Sequence, residues 1–210
     1  MKQATLGGVA LSLPLSGCKS ADTPPADTAG SDLSVPPSAK PVDWDAVAYN
    51  TKRGAAGFIP AKYMADITAP DGHKKHLGKH LPYVVELDPS KMVEGMLPIM
   101  WGNPDMGYAK HPNAPRSEAN PEGHWYNWIR IAIDGEPDSE VETTFDNWPA
   151  TSDAVNGRIV ALDGDDPAAE DGKNTVYLAK LPAGASAGKS LRIWAHCLTH
   201  GEYVDFVSLA

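Results

Sequence analysis

Cysteine is scarce: the 210-residue chain has two, Cys18 and Cys197. Two thiols cannot staple a framework, and they cannot build a Cys₄ zinc or iron–sulfur site within one chain. Positive charge is short as well. Lys and Arg number 18 against 27 Asp and Glu, a formal charge of −9, which argues against nucleic acid or an anionic membrane surface as the main partner. No apolar run reaches the ~20 residues needed to cross a bilayer, and no long stretch carries a helical period. What remains is a globular composition, 42% hydrophobic and 21% charged, long enough for one ordinary domain or two very small ones. The 19 glycines and 19 prolines are many for a helical protein and ordinary for a β-rich one with many turns.

The N-terminus has an address rather than a fold. Lys2 precedes a small-to-apolar run over residues 4–15, the length of a signal-peptide core. The run ends Leu15-Ser16-Gly17-Cys18, which resembles the lipobox of bacterial lipoproteins; a plain secretory signal with a chance cysteine is the alternative. The resemblance implies that residues 1–17 are removed and that Cys18 is lipidated. That leaves 193 residues with 17 basic and 27 acidic side chains, a charge of −10. The chain is then exported and anchored by lipid at a bacterial membrane, facing the periplasm or the cell exterior. Residues 18–41, with five prolines and almost no apolar side chains, read as a disordered tether reaching roughly 25–30 Å.

From residue 42 to 210 strand-like runs alternate with Gly/Pro/Asp turns. The candidates are 81–87, 124–133, 141–145, 158–162, 175–181, 191–197 and 203–208. Ile129, Ile131 and Ile133 share one face; Leu191, Ile193, Ala195 and Cys197 alternate with Arg192, Trp194 and His196, the period of half-buried strands. About seven short strands with long loops predict an all-β, immunoglobulin-like sandwich. The acidic loop 163–172 lacks EF-hand spacing and reads as solvated surface.

Seven histidines are present: His73, His76, His80, His111, His124, His196 and His200. With Cys18 consumed by lipid, Cys197 has no disulfide partner, so it is either a buried structural thiol or a metal ligand. In Cys197-Leu198-Thr199-His200-Gly201 a strand ends in Cys and His follows three residues later, which places sulfur and imidazole on one tight turn. His80, His111 and His124 each lie at the edge of an element, where ligands from different strands can meet. His196 alternates away from Cys197 and reads as a non-ligand; His73 and His76 read as solvated or as a weak adventitious site.

Lys79-His80-Leu81-Pro82, His111-Pro112-Asn113, His124-Trp125-Tyr126-Asn127-Trp128-Ile129 and Cys197-Leu198-Thr199-His200-Gly201 occur in that order. Together they resemble the iron domain of superoxide reductases, the desulfoferrodoxin and neelaredoxin family. The resemblance implies one iron (Fe2+/Fe3+) per chain, with His80, His111, His124 and His200 equatorial and Cys197 axial. The position opposite Cys197 is open to superoxide, and Lys79 is the cation beside it. The activity implied is one-electron reduction of superoxide to hydrogen peroxide, fed by an electron-donor protein the sequence does not name. Membrane contact is through the lipid alone, a homo-oligomer is compatible with it, and nucleic acid is not a partner.

Three departures accompany the resemblance. Gly78 stands where the family has a glutamate that caps the ferric ion, unless Glu118 or Glu122 substitutes. His111 and His124 are thirteen residues apart, which is either a loop insertion or the loss of one ligand. The family's tetra-cysteine N-terminal module is absent. An anion substrate also needs local attraction in an acidic chain, for which Lys74, Lys75, Lys79 and Lys110 are the candidates. A thiolate opposite an open site pushes electron density toward bound oxygen. Two other readings compete: a cupredoxin-like copper electron carrier, which needs two His, one Cys and usually a Met, and a β-sandwich binding module with incidental histidines.

Overall fold

The structure, a computed structural model, describes residues 32–118, 120–149 and 156–209. The expected signal segment, the expected lipidation site Cys18 and the expected tether as far as residue 31 lie outside the described residues. Leu33–Ala210 form one unit.

Eight strands are present among the described residues: β1 (Pro82–Val84), β2 (Met96–Trp101), β3 (Tyr126–Ile133), β4 (Glu136–Thr144), β5 (Arg158–Ala161), β6 (Thr175–Lys180), β7 (Ser190–Cys197) and β8 (Gly201–Ser208). They make two antiparallel four-stranded sheets of order β1-β2-β6-β5 and β4-β3-β7-β8. The alternation read in β3 and β7 has the expected consequence. Ile129, Ile131, Leu191, Ile193, Ala195 and Cys197 are fully buried and share one core with Leu97, Ile99, Tyr177 and Ala179 of the facing sheet. The fold is thus the expected all-β sandwich.

The strand beyond the expected seven is β2. Its six residues are all buried, so Met-Leu-Pro-Ile-Met-Trp shows no alternation, and Pro98 argues against an inner strand because it lacks a ladder N–H. Here Pro98 is tolerated: it pairs in register with Leu178 and its carbonyl accepts from Val85 N–H at 3.2 Å.

A helical segment precedes the sheets, where strands and turns alone were expected. It comprises α1 (Ala46–Arg53), α2 (Ala61–Thr68) and three helical turns, Gly54–Phe58, His73–Leu77 and Gly78–His80. Asp45 caps α1 by accepting from Ala48 N–H. Ile59, Tyr63 and Ile67, spaced by four, form a second buried cluster with Leu77, Leu81 and Tyr203. Each helix has eight residues, too short for its period to stand out.

The tether does not run to residue 41. Two buried arginines hold its last part on the domain. Arg53 donates to the Leu33 carbonyl and pairs with Glu202 at 2.6 Å; Arg192 donates to the Pro36 and Pro37 carbonyls and pairs with Glu140 at 2.5 Å. Lys40 N–H donates to Asp134 at 2.7 Å. A proline-rich segment has few side chains to bury, but its carbonyls are strong acceptors, and here they accept from Nη1 of both buried guanidinium groups, whose Nε atoms find no partner among the described residues. Arg192, on the outer face of β7, is 4% exposed.

Candidate metal centre

The site sits where the ends of β2, β3 and β7 meet the helical segment, and local backbone bonds explain how each donor arrives. The carbonyl of Trp101, at the end of β2, accepts from His111 N–H at 3.0 Å, and Gly102 N–H donates to the Leu81 carbonyl at 3.0 Å. One strand end therefore anchors both the His80 and the His111 segments. Asn113 secures the second: its amide donates to the Gly172 carbonyl at 2.8 Å, and its oxygen accepts from Tyr177 hydroxyl at 2.5 Å.

The thirteen-residue gap closes at its base. Ala114 and His124 form an antiparallel bridge, with N–H···O distances of 2.9 and 2.8 Å in the two directions. The intervening residues leave and return at one point, so the longer loop does not separate His111 from His124.

Cys197 and His200 stand on the turn from β7 to β8, closed by His200 N–H donating to the Cys197 carbonyl at 3.2 Å. Gly201 follows with φ +85°, and a Cβ there would lie 2.2 Å from the Phe58 carbonyl oxygen. Positive φ and close backbone approach together explain the glycine.

The result is convergence. One donor atom from each of His80, His111, His124, Cys197 and His200 lies within 4.8 Å of all the others. The four imidazoles follow one another around a ring: His80 to His111 4.8 Å between centroids, His111 to His124 4.4 Å, His124 to His200 4.6 Å, and His200 back to His80 5.0 Å, while His80 to His124 across the ring is 6.5 Å. Cys197 Sγ lies 3.6 Å from His111 Nε2 and 3.8 Å from His200 Nδ1. These two rings are not neighbours in that order, so the sulfur stands near the axis of the ring and not in its perimeter.

The donor set fits a metal ion. His80 Nδ1 donates to the His76 carbonyl at 2.7 Å, which leaves His80 Nε2 as a bare lone pair. That atom is 3.1 Å from His200 Nδ1, and His124 Nε2 is 3.0 Å from the same nitrogen. One proton cannot satisfy three converging nitrogens; one cation can. Four imidazoles and a thiolate suit a transition metal.

Electrostatics keeps the lone pairs available. Burial holds His80 well below the ordinary imidazole range, with His200 adding to it, and holds His111 there with His124 adding to it. Burial and Lys79 lower His124 to about 4; burial and His124 lower His200 to about 2. Burial alone pushes the Cys197 thiol up to about 12, against hydrogen bonds from the backbone of Thr199 and His200 that favour the thiolate. A bound cation reverses that balance, since ligation requires deprotonation.

The remaining residues fall into place around this group. Lys79 is half-buried beside it, its ammonium 5.5 Å from the Tyr63 ring centroid. Burial lowers its pKa while Cys197 raises it. His196 is turned away, bonded through Nδ1 to Asn127 at 2.6 Å and stacked on Trp128. His73 is exposed, Glu118 and Glu122 are exposed on the loop, and neither His73, His76 nor these glutamates belong to the five-donor group. Lys75 is paired with Asp71 at 3.7 Å and Lys110 with Glu170 at 3.9 Å, so Lys79 is the candidate cation closest to the donors that is free of an ion pair among the described residues.

Sequence reasoning missed the aromatic wall. Tyr203 stacks on His80 at 4.3 Å, Tyr63 stacks on His200 at 3.8 Å, and Tyr126 lies 4.9 Å from His111. Only Tyr126 and Tyr203 stand near the histidine motifs in sequence. Comparison with family models, curated proteins and solved structures finds no match to this chain.

Proposed function

We propose that this protein is a superoxide reductase that carries one iron per chain. The observation that supports it most is the convergence of His80, His111, His124, Cys197 and His200 within 4.8 Å, with Lys79 beside them. These are the residues of the four motifs, and among the described residues no further His, Cys, Asp or Glu joins the group.

When bound, ferrous iron supplies the single electron that converts superoxide, with two protons, to hydrogen peroxide. The chain's residues do the rest. His80, His111, His124, His200 and Cys197 would hold the metal, the imidazoles as neutral donors and Cys197 as the thiolate. Lys79 brings positive charge to an anion in an otherwise acidic chain. Its value there exceeds that of an exposed lysine, because charges at ~4 Å interact by about 1 kcal/mol in water and more beside a low-dielectric wall. The buried rings of Tyr63, Tyr126 and Tyr203 pack against the histidines. Export and a lipid anchor at Cys18 belong to the same proposal, as does an electron-donor protein.

A copper carrier is the second reading, and two observations count against it: four imidazoles converge rather than two, and no methionine follows His200 in the sequence. Metal analysis and superoxide kinetics of the purified protein, produced from residue 19 onward with ferrous iron, test the proposal. About one iron per chain and bleaching of the ferric colour by reductant, restored by superoxide, are expected. Copper or no metal at full occupancy of the fold would overturn it.

A further inference from the structure

Tyr63 is contributed by α2, which none of the four motifs covers. Four separate contacts meet on it. Its ring lies over His200, centroids 3.8 Å apart and 24° from parallel. The Lys79 ammonium lies 5.5 Å from the same ring, within cation–π range. Its hydroxyl donates to the His76 carbonyl at 3.1 Å, the oxygen that also accepts from His80 Nδ1 at 2.7 Å. Its ring edge meets the His80 ring at 5.5 Å, 81° from parallel. Tyr63 is 7% exposed, so these contacts are made out of water.

We propose that Tyr63 is a positioning residue of the metal centre, whose ring fixes His200 and Lys79 in one geometry and whose hydroxyl steadies the carbonyl that orients His80. Metal-ligating histidines depend on such outer contacts for ring orientation and basicity. The ring does the larger share. It limits rotation of His200, which sits on a hairpin turn, and it gives a long flexible lysine one favoured place. The hydroxyl is secondary, because the His76 carbonyl keeps its bond from His80 without it. The helical segment is therefore part of the centre and not an appendage. The function of Lys79 toward an anion rests on the superoxide reductase reading; the positioning of His200 and Lys79 does not.

The test uses the iron-loaded protein, with Tyr63→Phe and Tyr63→Leu beside the wild type, and azide as the anion probe of the oxidised form. Three quantities are read: azide affinity, the rate of iron release to a chelator, and the position of the thiolate-to-iron charge-transfer band. Tyr63→Phe keeps the ring and is expected within about twofold of wild type in the first two. Tyr63→Leu is expected to bind azide about tenfold more weakly, a change of about 1.4 kcal/mol, to release iron about tenfold faster and to shift the band. Equal losses in both variants, or wild-type behaviour of Tyr63→Leu, would overturn the proposal. Should Tyr63→Leu not fold, nuclear magnetic resonance of the zinc-loaded wild type decides. The Lys79 side-chain methylenes are expected upfield of their usual positions, with proximity signals between the Tyr63 and His200 rings; their absence would overturn it too. None of these readouts uses superoxide, so a protein inert toward superoxide would count against the proposed activity while leaving the role of Tyr63 to be judged on its own.

Discussion

The Tyr108 ring packs on the backbone of Gly78: a Cβ built at Gly78 would lie 2.2 Å from Tyr108 Cδ1 and 2.5 Å from its Cγ. Those atoms sit close to the tyrosine backbone and cannot swing away as the tip of a long side chain does. The Tyr108 ring thus occupies the space a side chain at position 78 would need, and the proposed superoxide reductase reading goes without a carboxylate there.

That contact gives the first prediction. Gly78→Ala should destabilise the domain by about 1–3 kcal/mol through overpacking, read as a fall of several degrees in Tm. Combining it with Tyr108→Ala should restore part of the loss. With no carboxylate at position 78, azide and cyanide should bind the oxidised iron protein readily. Neutral behaviour of Gly78→Ala would show that Tyr108 gives way.

The five donors make a sharper set. Cys197→Ser should abolish the charge-transfer colour of the oxidised iron protein. His80→Ala, His111→Ala, His124→Ala and His200→Ala should each lower iron content to less than about half. His196→Ala should keep it, because His196 is engaged with Asn127 on the other side of β7. Equal loss at His196 would mean the first coordination sphere is wrong.

Lys79→Ala separates attraction from ligation. Iron content and colour should stay unchanged, since an ammonium does not bind the metal. The second-order rate with superoxide should fall about tenfold at low salt, and raising ionic strength should slow the wild type more than the variant. A variant as fast as the wild type at low salt would move the attracting charge to Lys74, Lys75 or Lys110.

Acid should unfold the metal-free protein early. The four imidazoles have folded pKa values below their ordinary value, down to about 4 for His124 and about 2 for His200. Below pH ~6.5 the unfolded chain therefore takes up protons that the folded chain refuses. Stability is intact above that pH and falls as the pH drops toward the folded values, by up to about 1.4 kcal/mol per pH unit for each histidine. Urea midpoints measured with chelator between pH 7.5 and 5 check this; a flat profile contradicts it. Bound metal should move the acid limb to lower pH, because it holds the imidazoles neutral.

Much of the site was legible because its signals are local. Cys197 and His200 share one turn, so their spacing already implied that sulfur and imidazole meet. The alternation of Ile129, Ile131 and Ile133 against Arg130 named the buried face of β3 without any partner strand. The side of the strand on which His196 lies followed from the same period of two. β2 escaped for the converse reason: a strand covered on both faces has no alternation, and Pro98 points away from a strand. The helices escaped because eight residues hold only about two turns, although Ile59, Tyr63 and Ile67 carried the spacing of four.

The sequence by itself determined which atoms can bind a metal and which strand faces turn inward, because both depend on residue type and on a period of a few residues. Tertiary structure alone decided that the twelve residues between His111 and His124 close on the Ala114 bridge. It also decided that Tyr63 stacks on a histidine more than a hundred residues away, and that residues 33–40 lie on the domain instead of extending a tether. Each is a contact between segments distant in the chain. No local pattern encodes such contacts; they form because Arg53, Arg192 and the imidazoles, once buried, must find partners inside the protein.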